Sequence, residues 1–194
     1  MTQLRWALFI PAYVALDWVS YLHAFNGLNI TPWNPALALG LTFWLAYGPI
    51  TVFPWMLALI LGEGVVRHWP APPLETALNS VLLALGYGAI GEVLRRIAPP
   101  SDLFSKQEHL LNWLLVSFFG TLTTSTFYIV TLSSEGLIAS DIRLAAFLQF
   151  WVGDFVGITA TMPFFWSLLL ARGRLVALVG DPMTLVTGLL ALAA

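Results

Sequence analysis

The stretch NGLNITPWNPALALGLTFWLAY, residues 26–47, joins a rigid turn to a short apolar segment. Asn34 before Pro35 predicts a helix start, because an asparagine side chain caps free backbone N–H groups and the fixed φ of proline suits the first helical turn. A helix over residues 35–47 would be about 20 Å long, against a hydrocarbon core of about 30 Å. We therefore predict a half-height helix that either begins below the membrane surface, with its N-terminal end pointing into a helix bundle, or thins the bilayer.

The composition of the chain indicates a membrane protein. Apolar residues make up 59% of its 194 residues and charged residues only 9%, more apolar surface than one water-soluble core could hide. A net charge of −2 with 8 scattered Lys and Arg residues leaves no basic stripe, which argues against a nucleic-acid partner. The absence of cysteine excludes disulfides, thiolate metal sites and thiol nucleophiles.

Further apolar segments approach or exceed the length of a membrane span, which needs about 20 residues. They occupy residues 5–24, 49–66, 75–96, 110–132 and 143–171, and a run at 182–194 begins like another span before it stops in mid-pattern. The predicted fold is all-α, a polytopic transmembrane bundle of about six spans with the start of a seventh. We expect one integral-membrane domain over residues 1–194, truncated at its C-terminus.

The positions of arginine and lysine predict the orientation, since short cytoplasmic loops carry an excess of both. A cytoplasmic N-terminus puts six of them inside and leaves Arg67 and Arg143 outside; the six are Arg5, Arg95, Arg96, Lys106, Arg172 and Arg174. The sequence therefore favours a multi-pass protein with its N-terminus in the cytoplasm.

Acidic residues inside the predicted spans are candidates for function, because an ionisable group in lipid is costly unless it is paired or hydrated. They are Asp17, Glu63, Glu92 and Asp154. In the predicted orientation Asp17, Glu63 and Asp154 share the outer half of the membrane. A purely structural role, fixing the registry of the helices, remains open for Asp17.

The last long segment, 143–171, is too long for one straight span. Gly153, Gly157 and Pro163 weaken the helix around Asp154, so we predict a broken helix near Gly153. Asp154 would then either cap the second piece or contact a ligand, and both uses remain open.

Polar and aromatic side chains complete the predicted site. Two helix faces are predicted to point into the bundle. One carries Tyr13, Asp17, Ser20 and Tyr21, and the other carries Ser117, Thr121, Thr124 and Tyr128. The hydroxyls of the second face would bond either to their own backbone or to a bound molecule. Among the tryptophans, Trp18, Trp55 and Trp69 are interpreted as interface anchors. The predicted ligand-binding residues are Asp17, Trp33, Asn34, Glu63, Trp151 and Asp154, supported by a structural motif of Pro35, Gly153, Gly157 and Pro163.

Catalytic and metal-binding functions find little support. No metalloprotease, serine-hydrolase or phosphate-loop motif occurs. With three histidines in the sequence, a haem or copper site could use only His23 and His68 on the outer face, because the predicted topology puts His109 on the opposite side of the membrane. We therefore predict no enzyme activity in this region, no metal and no cofactor, with haem or copper as the minor alternative.

Two stretches resemble a known family, DWVSYLHAFNGLNITPWNPALALGL at 17–41 and FWVGDFVGITATMPFFWSLLL at 150–170. They are similar to the bacterial type-1 membrane-associated sensor domain (MASE family), whose pattern is matched by Trp33, Pro35, Gly40, Trp151, Gly153, Asp154, Gly157 and Pro163. The resemblance implies the input module of a histidine kinase or diguanylate cyclase in the bacterial inner membrane. It also implies an output domain after residue 194 and more spans than this chain has.

These observations predict a sensor that binds a small or amphiphilic molecule in an outer-half cavity and relays the signal to a cytoplasmic output domain of the same chain, with a homodimer as a possible assembly. The alternative is the substrate-binding membrane subunit of a vitamin-type importer, since such subunits are of similar size. A structural anchor that dimerises a cytoplasmic enzyme ranks last, because buried acids are an expensive way to build an anchor.

Overall fold

The computed structural model describes residues 2–21, 24–97, 103–104 and 106–180, with side chains described between residues 6 and 169 except that of Asn26. Every regular element in these ranges is helical, which confirms the all-α prediction. The helices are α1 (Thr2–Ser20), α2 (Pro35–Tyr47), α3 (Val52–Val65), α4 (Pro73–Ile97), α5 (Gln107–Ser134) and α6 (Arg143–Gly180).

The short helix α2 has the predicted bounds and lies at the centre of the bundle. The Asn34 side chain accepts a hydrogen bond from the Leu37 N–H at 3.2 Å, as expected for an N-cap, and Pro35 follows as the first helical residue. Of the 13 residues in α2, 10 are buried, and the helix packs against α1, α4 and α6. A helix that is apolar on all sides is one that other helices surround, so α2 forms the core.

Three described helices are long and apolar enough to cross a membrane, at Pro73–Ile97, Gln107–Ser134 and Arg143–Leu169. The stretches Trp6–Ser20, Pro35–Tyr47 and Pro49–Val65 are shorter, so the prediction of about six full spans is not met. The sequence-based count rested on the length of the apolar runs, whereas the helices are shorter than the runs: α1 ends at Ser20, and a 3-10 turn at Pro49–Thr51 precedes α3. The run at 182–194 lies outside the described residues.

The predicted break at Gly153 is wrong, because α6 runs as one helix from Arg143 to Gly180 and continues through Pro163. A Cβ atom at Gly153 would collide with the Thr31 carbonyl oxygen. One at Gly157 would collide with the backbone of Asn34. The two glycines therefore serve as contact points for the turn that precedes α2, and the Asn34 N–H donates to the Gly153 carbonyl at 3.1 Å.

The predicted inward face of α5 is confirmed, and that of α1 is confirmed except for Tyr21. On α1, Tyr13, Asp17 and Ser20 are buried, whereas Tyr21 follows the helix and is only partly buried. On α5 the buried set is Ser117, Thr121, Thr124 and Tyr128. Thr121 donates to the Ser117 carbonyl at 2.7 Å, which is the backbone bonding expected of hydroxyls in apolar helices.

The tryptophans divide between surface and core. Trp18 and Trp69 are exposed, as interface anchors would be. The same prediction for Trp55 is wrong, because its indole is buried and stacks on Tyr87 with ring centroids 5.8 Å apart. Its position at the start of an apolar helix resembles that of an anchor, and only the packing of Trp55 against α2 and α4 distinguishes a buried tryptophan from an anchor.

Candidate functional site

A buried ion cluster joins α1 to the end of α3. The Arg67 Nη2 atom donates to Asp17 Oδ1 at 2.5 Å and to Asn29 Oδ1 at 2.8 Å. Arg67 Nη1 lies 3.4 Å from Glu63 Oε1, one helical turn earlier. Two of the predicted acids are thus brought together, and a cation that was assigned to an outer loop holds them.

Arg67 stays charged in this cluster although it is only 6% exposed. Burial lowers the pKa of Arg67, but attraction to Asp17 and Glu63 outweighs it, and the pKa is raised above its ordinary value. Removing one member of such a buried set leaves an uncompensated charge, whereas the intact set fixes how the elements meet. The cluster therefore ties α1, α3 and the Asn29 turn into one arrangement.

A second cluster surrounds Asp154 on α6. The Asn34 Nδ2 atom donates to Asp154 Oδ1 at 2.8 Å, and the Tyr87 hydroxyl donates to Oδ2 at 2.6 Å. Asn34 has a double role, since its amide oxygen caps α2 while its amide nitrogen binds the acid. Asp154 is 1% exposed and links α6 to α4 and to the start of α2.

Buried tyrosines connect the two clusters. Tyr13 lies within electrostatic range of both Asp17 and Asp154. Tyr128 lies within range of both Glu63 and Asp154. We call Asp17, Glu63, Arg67 and Asp154 the acidic core, which comprises the ion cluster around Arg67 and the hydrogen-bonded cluster around Asp154. That the three acids share the outer half of the membrane stays a prediction.

The predicted aromatic members stand apart from the acidic core. Trp33 is 38% exposed on the turn before α2. Trp151 Nε1 donates to the Phe118 carbonyl at 3.3 Å, and its ring packs against Phe118 with centroids 5.0 Å apart. Of the six predicted ligand-binding residues, the structure thus places Asp17 with Glu63 and Asn34 with Asp154, and puts the two tryptophans in other contacts.

Three members of the site were missed from the sequence. Arg67 was counted only as a loop charge, although its spacing of four residues from Glu63 is that of an ion pair on one helical face. Nothing in the sequence marks Tyr87 or Asn29, because each acquires its partner from a distant segment of the chain.

Two cavities differ strongly in character. A groove of about 790 Å³ between α4 and α5 is lined mainly by apolar side chains, among them Leu85, Phe119 and Phe127. A second cavity of about 20 Å³ lies beside Glu63, and polar and apolar residues contribute to its lining in equal number. No group of three or more His, Asp or Glu side chains suited to a metal ion occurs in the part of the chain that the structure describes.

Comparisons of the chain with protein-family models, with curated proteins and with solved structures give no match. The fold and the site define a helical protein with membrane-compatible helices around a buried acidic core.

Replacing Tyr87 by Phe should lower the free energy of unfolding by about 1–3 kcal/mol, because Asp154 Oδ2 loses its donor while it remains buried. Tyr21→Phe is the matched control, since that hydroxyl bonds to the Gly27 carbonyl at an exposed site. Denaturant unfolding of the purified proteins measures the loss of stability in each variant. Equal losses in the two variants would show that the bond to Asp154 has no special weight.

Proposed function

We propose that this chain is the sensory input domain of a bacterial signalling protein, similar to the MASE family. The supporting observation is that the two stretches that carry the resemblance meet in space. Asn34 and Asp154 are 120 residues apart in sequence and share a hydrogen bond, and Gly153 and Gly157 receive the backbone of the turn. If the shared motifs define the domain, their residues should contact one another in the fold, as Asn34 and Asp154 do.

The same unit suggests how a signal could travel. Suppose that the turn before α2 can occupy two positions and that a ligand binds one of them more tightly. Binding would then also shift α6, because the turn rests directly on the α6 backbone. With 38 residues, α6 is about 57 Å long, whereas the hydrocarbon core is about 30 Å thick. We propose that its C-terminal part carries the shift to a cytoplasmic output domain such as a histidine kinase or a diguanylate cyclase.

The proposed setting is the bacterial inner membrane, with the N-terminus in the cytoplasm. In this arrangement the three long helices cross the bilayer, and α1, α2 and α3 add shorter segments around the acidic core, giving about six membrane segments. Placing Arg67 on the outer side puts the ion cluster in the outer half of the membrane, where the signal would enter.

The test is Asp154→Asn in the full-length protein with its output domain. Losing the charge that Asn34 and Tyr87 bind should change basal output about tenfold, since couplings between sites are typically worth one to a few kcal/mol. Autophosphorylation or cyclic-dinucleotide synthesis in membranes measures the output. Asp141→Asn is the matched control, because Asp141 is an exposed aspartate just before α6.

Unchanged output from Asp154→Asn, in a protein that is folded and correctly inserted, would contradict the sensor proposal. Co-purification of the chain with ATPase subunits would support the importer alternative instead.

A further inference from the structure

The small cavity beside the acidic core lies where α3 ends, α4 begins and α5 ends. Its volume is about 20 Å³. A cavity needs roughly 10–15 Å³ to hold one water molecule, so this one accepts a single particle of that size. Its polar lining comprises Asn29, Glu63, Thr76, Asn79, Ser80 and Tyr128.

Asn79, which lines the cavity, carries an acceptor that is unpaired in the described part of the chain. Its Nδ2 atom donates to Glu135 Oε2 at 2.9 Å, and because a carboxylate only accepts, the nitrogen must be the end that faces Glu135. The Asn79 Oδ1 atom is buried and has no hydrogen-bond partner among the described residues. Since Asn79 is only 6% exposed, a buried acceptor of this kind calls for a donor or a cation.

Two of the three hydroxyls on the wall, those of Thr76 and Ser80, also offer lone pairs. Thr76 Oγ1 donates to the Ala71 carbonyl at 3.2 Å, and Ser80 Oγ donates to the Thr76 carbonyl at 2.8 Å. Each hydroxyl hydrogen is therefore used, and the oxygen can only accept from anything in the cavity. The Asn29 oxygen already accepts a hydrogen bond from the Arg67 guanidinium, so we do not count it among the cation ligands.

The charges around the cavity favour a positive occupant. Within the described part of the chain, Arg67 lies within salt-bridge distance of two carboxylates, those of Asp17 and Glu63, so the set carries at most one uncompensated negative charge. Glu63 lines the cavity, and the partly buried Glu135 lies behind Asn79. Buried charges are stable when they are compensated, and a cation in the cavity would supply the compensation.

We propose that this cavity binds one small monovalent cation, Na⁺, K⁺ or ammonium. The volume excludes organic ligands, and an excess of at most one charge disfavours a divalent ion, which prefers several carboxylate or water ligands. Glu63 supplies the charge, while Asn79, Thr76 and Ser80 supply neutral oxygens. The site shares Glu63 with the predicted ligand-binding set, but cation binding there does not depend on the proposed sensor function.

The test is thermal unfolding of the full purified chain in detergent, with NaCl, KCl or ammonium chloride replacing choline chloride at constant ionic strength. A bound cation should raise the melting temperature saturably with one of the three salts, which identifies the ion, because ligands that bind only the folded state stabilise it. Choline is too large for the cavity. Equal melting temperatures in all four salts would show that the cavity holds water only and would overturn the proposal.

Asn79→Ala should raise the half-saturating salt concentration about tenfold, the effect of losing one good oxygen ligand worth about 1.4 kcal/mol. Asn112→Ala, at an exposed asparagine of α5, should leave it unchanged. Asn79→Asp places a second carboxylate on the wall and should lower the half-saturating concentration, so it decides the matter if the alanine variant does not fold. Salt dependence that neither Asn79 variant alters would overturn the assignment of the site.

Discussion

Replacing Arg67 by Met should lower the free energy of unfolding by about 3–5 kcal/mol, the range measured when one partner of a buried ion pair is removed. The Arg67 side chain is fully buried, and it binds Asp17 Oδ1 at 2.5 Å while lying 3.4 Å from Glu63 Oε1. Without the guanidinium, two buried carboxylates face each other and must take up a proton or unfold the site. Denaturant unfolding of the purified chain measures the loss.

The chain provides a matched control for this variant in a second Glu–Arg pair of the same spacing. Arg96 Nε lies 3.0 Å from Glu92 Oε1 on α4, and the Arg96 side chain is 76% exposed. Arg96→Met should leave stability unchanged, because exposed ion pairs are screened by water. Adding Asp17→Asn to Arg67→Met should recover part of the loss, since one of the stranded charges is removed. Equal stability of the two Met variants would show that Arg67 does not hold the acidic core together.

Replacing Gly153 by Ala should destabilise the protein by about 1–3 kcal/mol, the usual cost of overpacking. The added methyl group would collide with the Thr31 carbonyl, and a backbone atom cannot swing aside as a side chain can. The sign of the change in the free energy of unfolding is informative, because Ala in place of Gly stabilises an unobstructed helix by about 1 kcal/mol. Gly157→Ala should behave alike, since its methyl group would meet the Asn34 backbone.

Gly64→Ala is the control for the two glycine variants. The atoms nearest to its added methyl group belong to the Trp69 ring, which is 50% exposed and can move away. Thermal unfolding of the three variants should therefore separate Gly153 and Gly157 from Gly64. A gain in stability at Gly153 would mean that the turn before α2 does not rest on α6.

Local signals were enough to predict several parts of the fold. The bounds of α2 follow from the capping Asn34 and from Pro35, both of which act on the nearest backbone groups. The inward face of α1 with Tyr13 and Asp17 follows from helical periodicity. Such features depend on residues within one or two turns, so the sequence displays them directly.

The site was predicted only in outline, because its chemistry depends on partners far along the chain. Asp17 and Asp154 were recognised as costly charges in an apolar setting. Their partners were not, since Arg67 lies 50 residues from Asp17 and Tyr87 lies 67 residues from Asp154. The sequence around a loop arginine or a helix tyrosine does not show whether the side chain faces water, lipid or a buried acid.

By itself, the sequence determined that the chain is helical, that α2 is short and capped, and that acids lie inside apolar helices. Only the tertiary structure decided which apolar runs are surrounded by protein, that Gly153 is a contact point instead of a break, and that Arg67 compensates Asp17. The reason is physical: helix formation and capping are settled by neighbours along the chain, whereas burial and charge pairing are settled by neighbours in space.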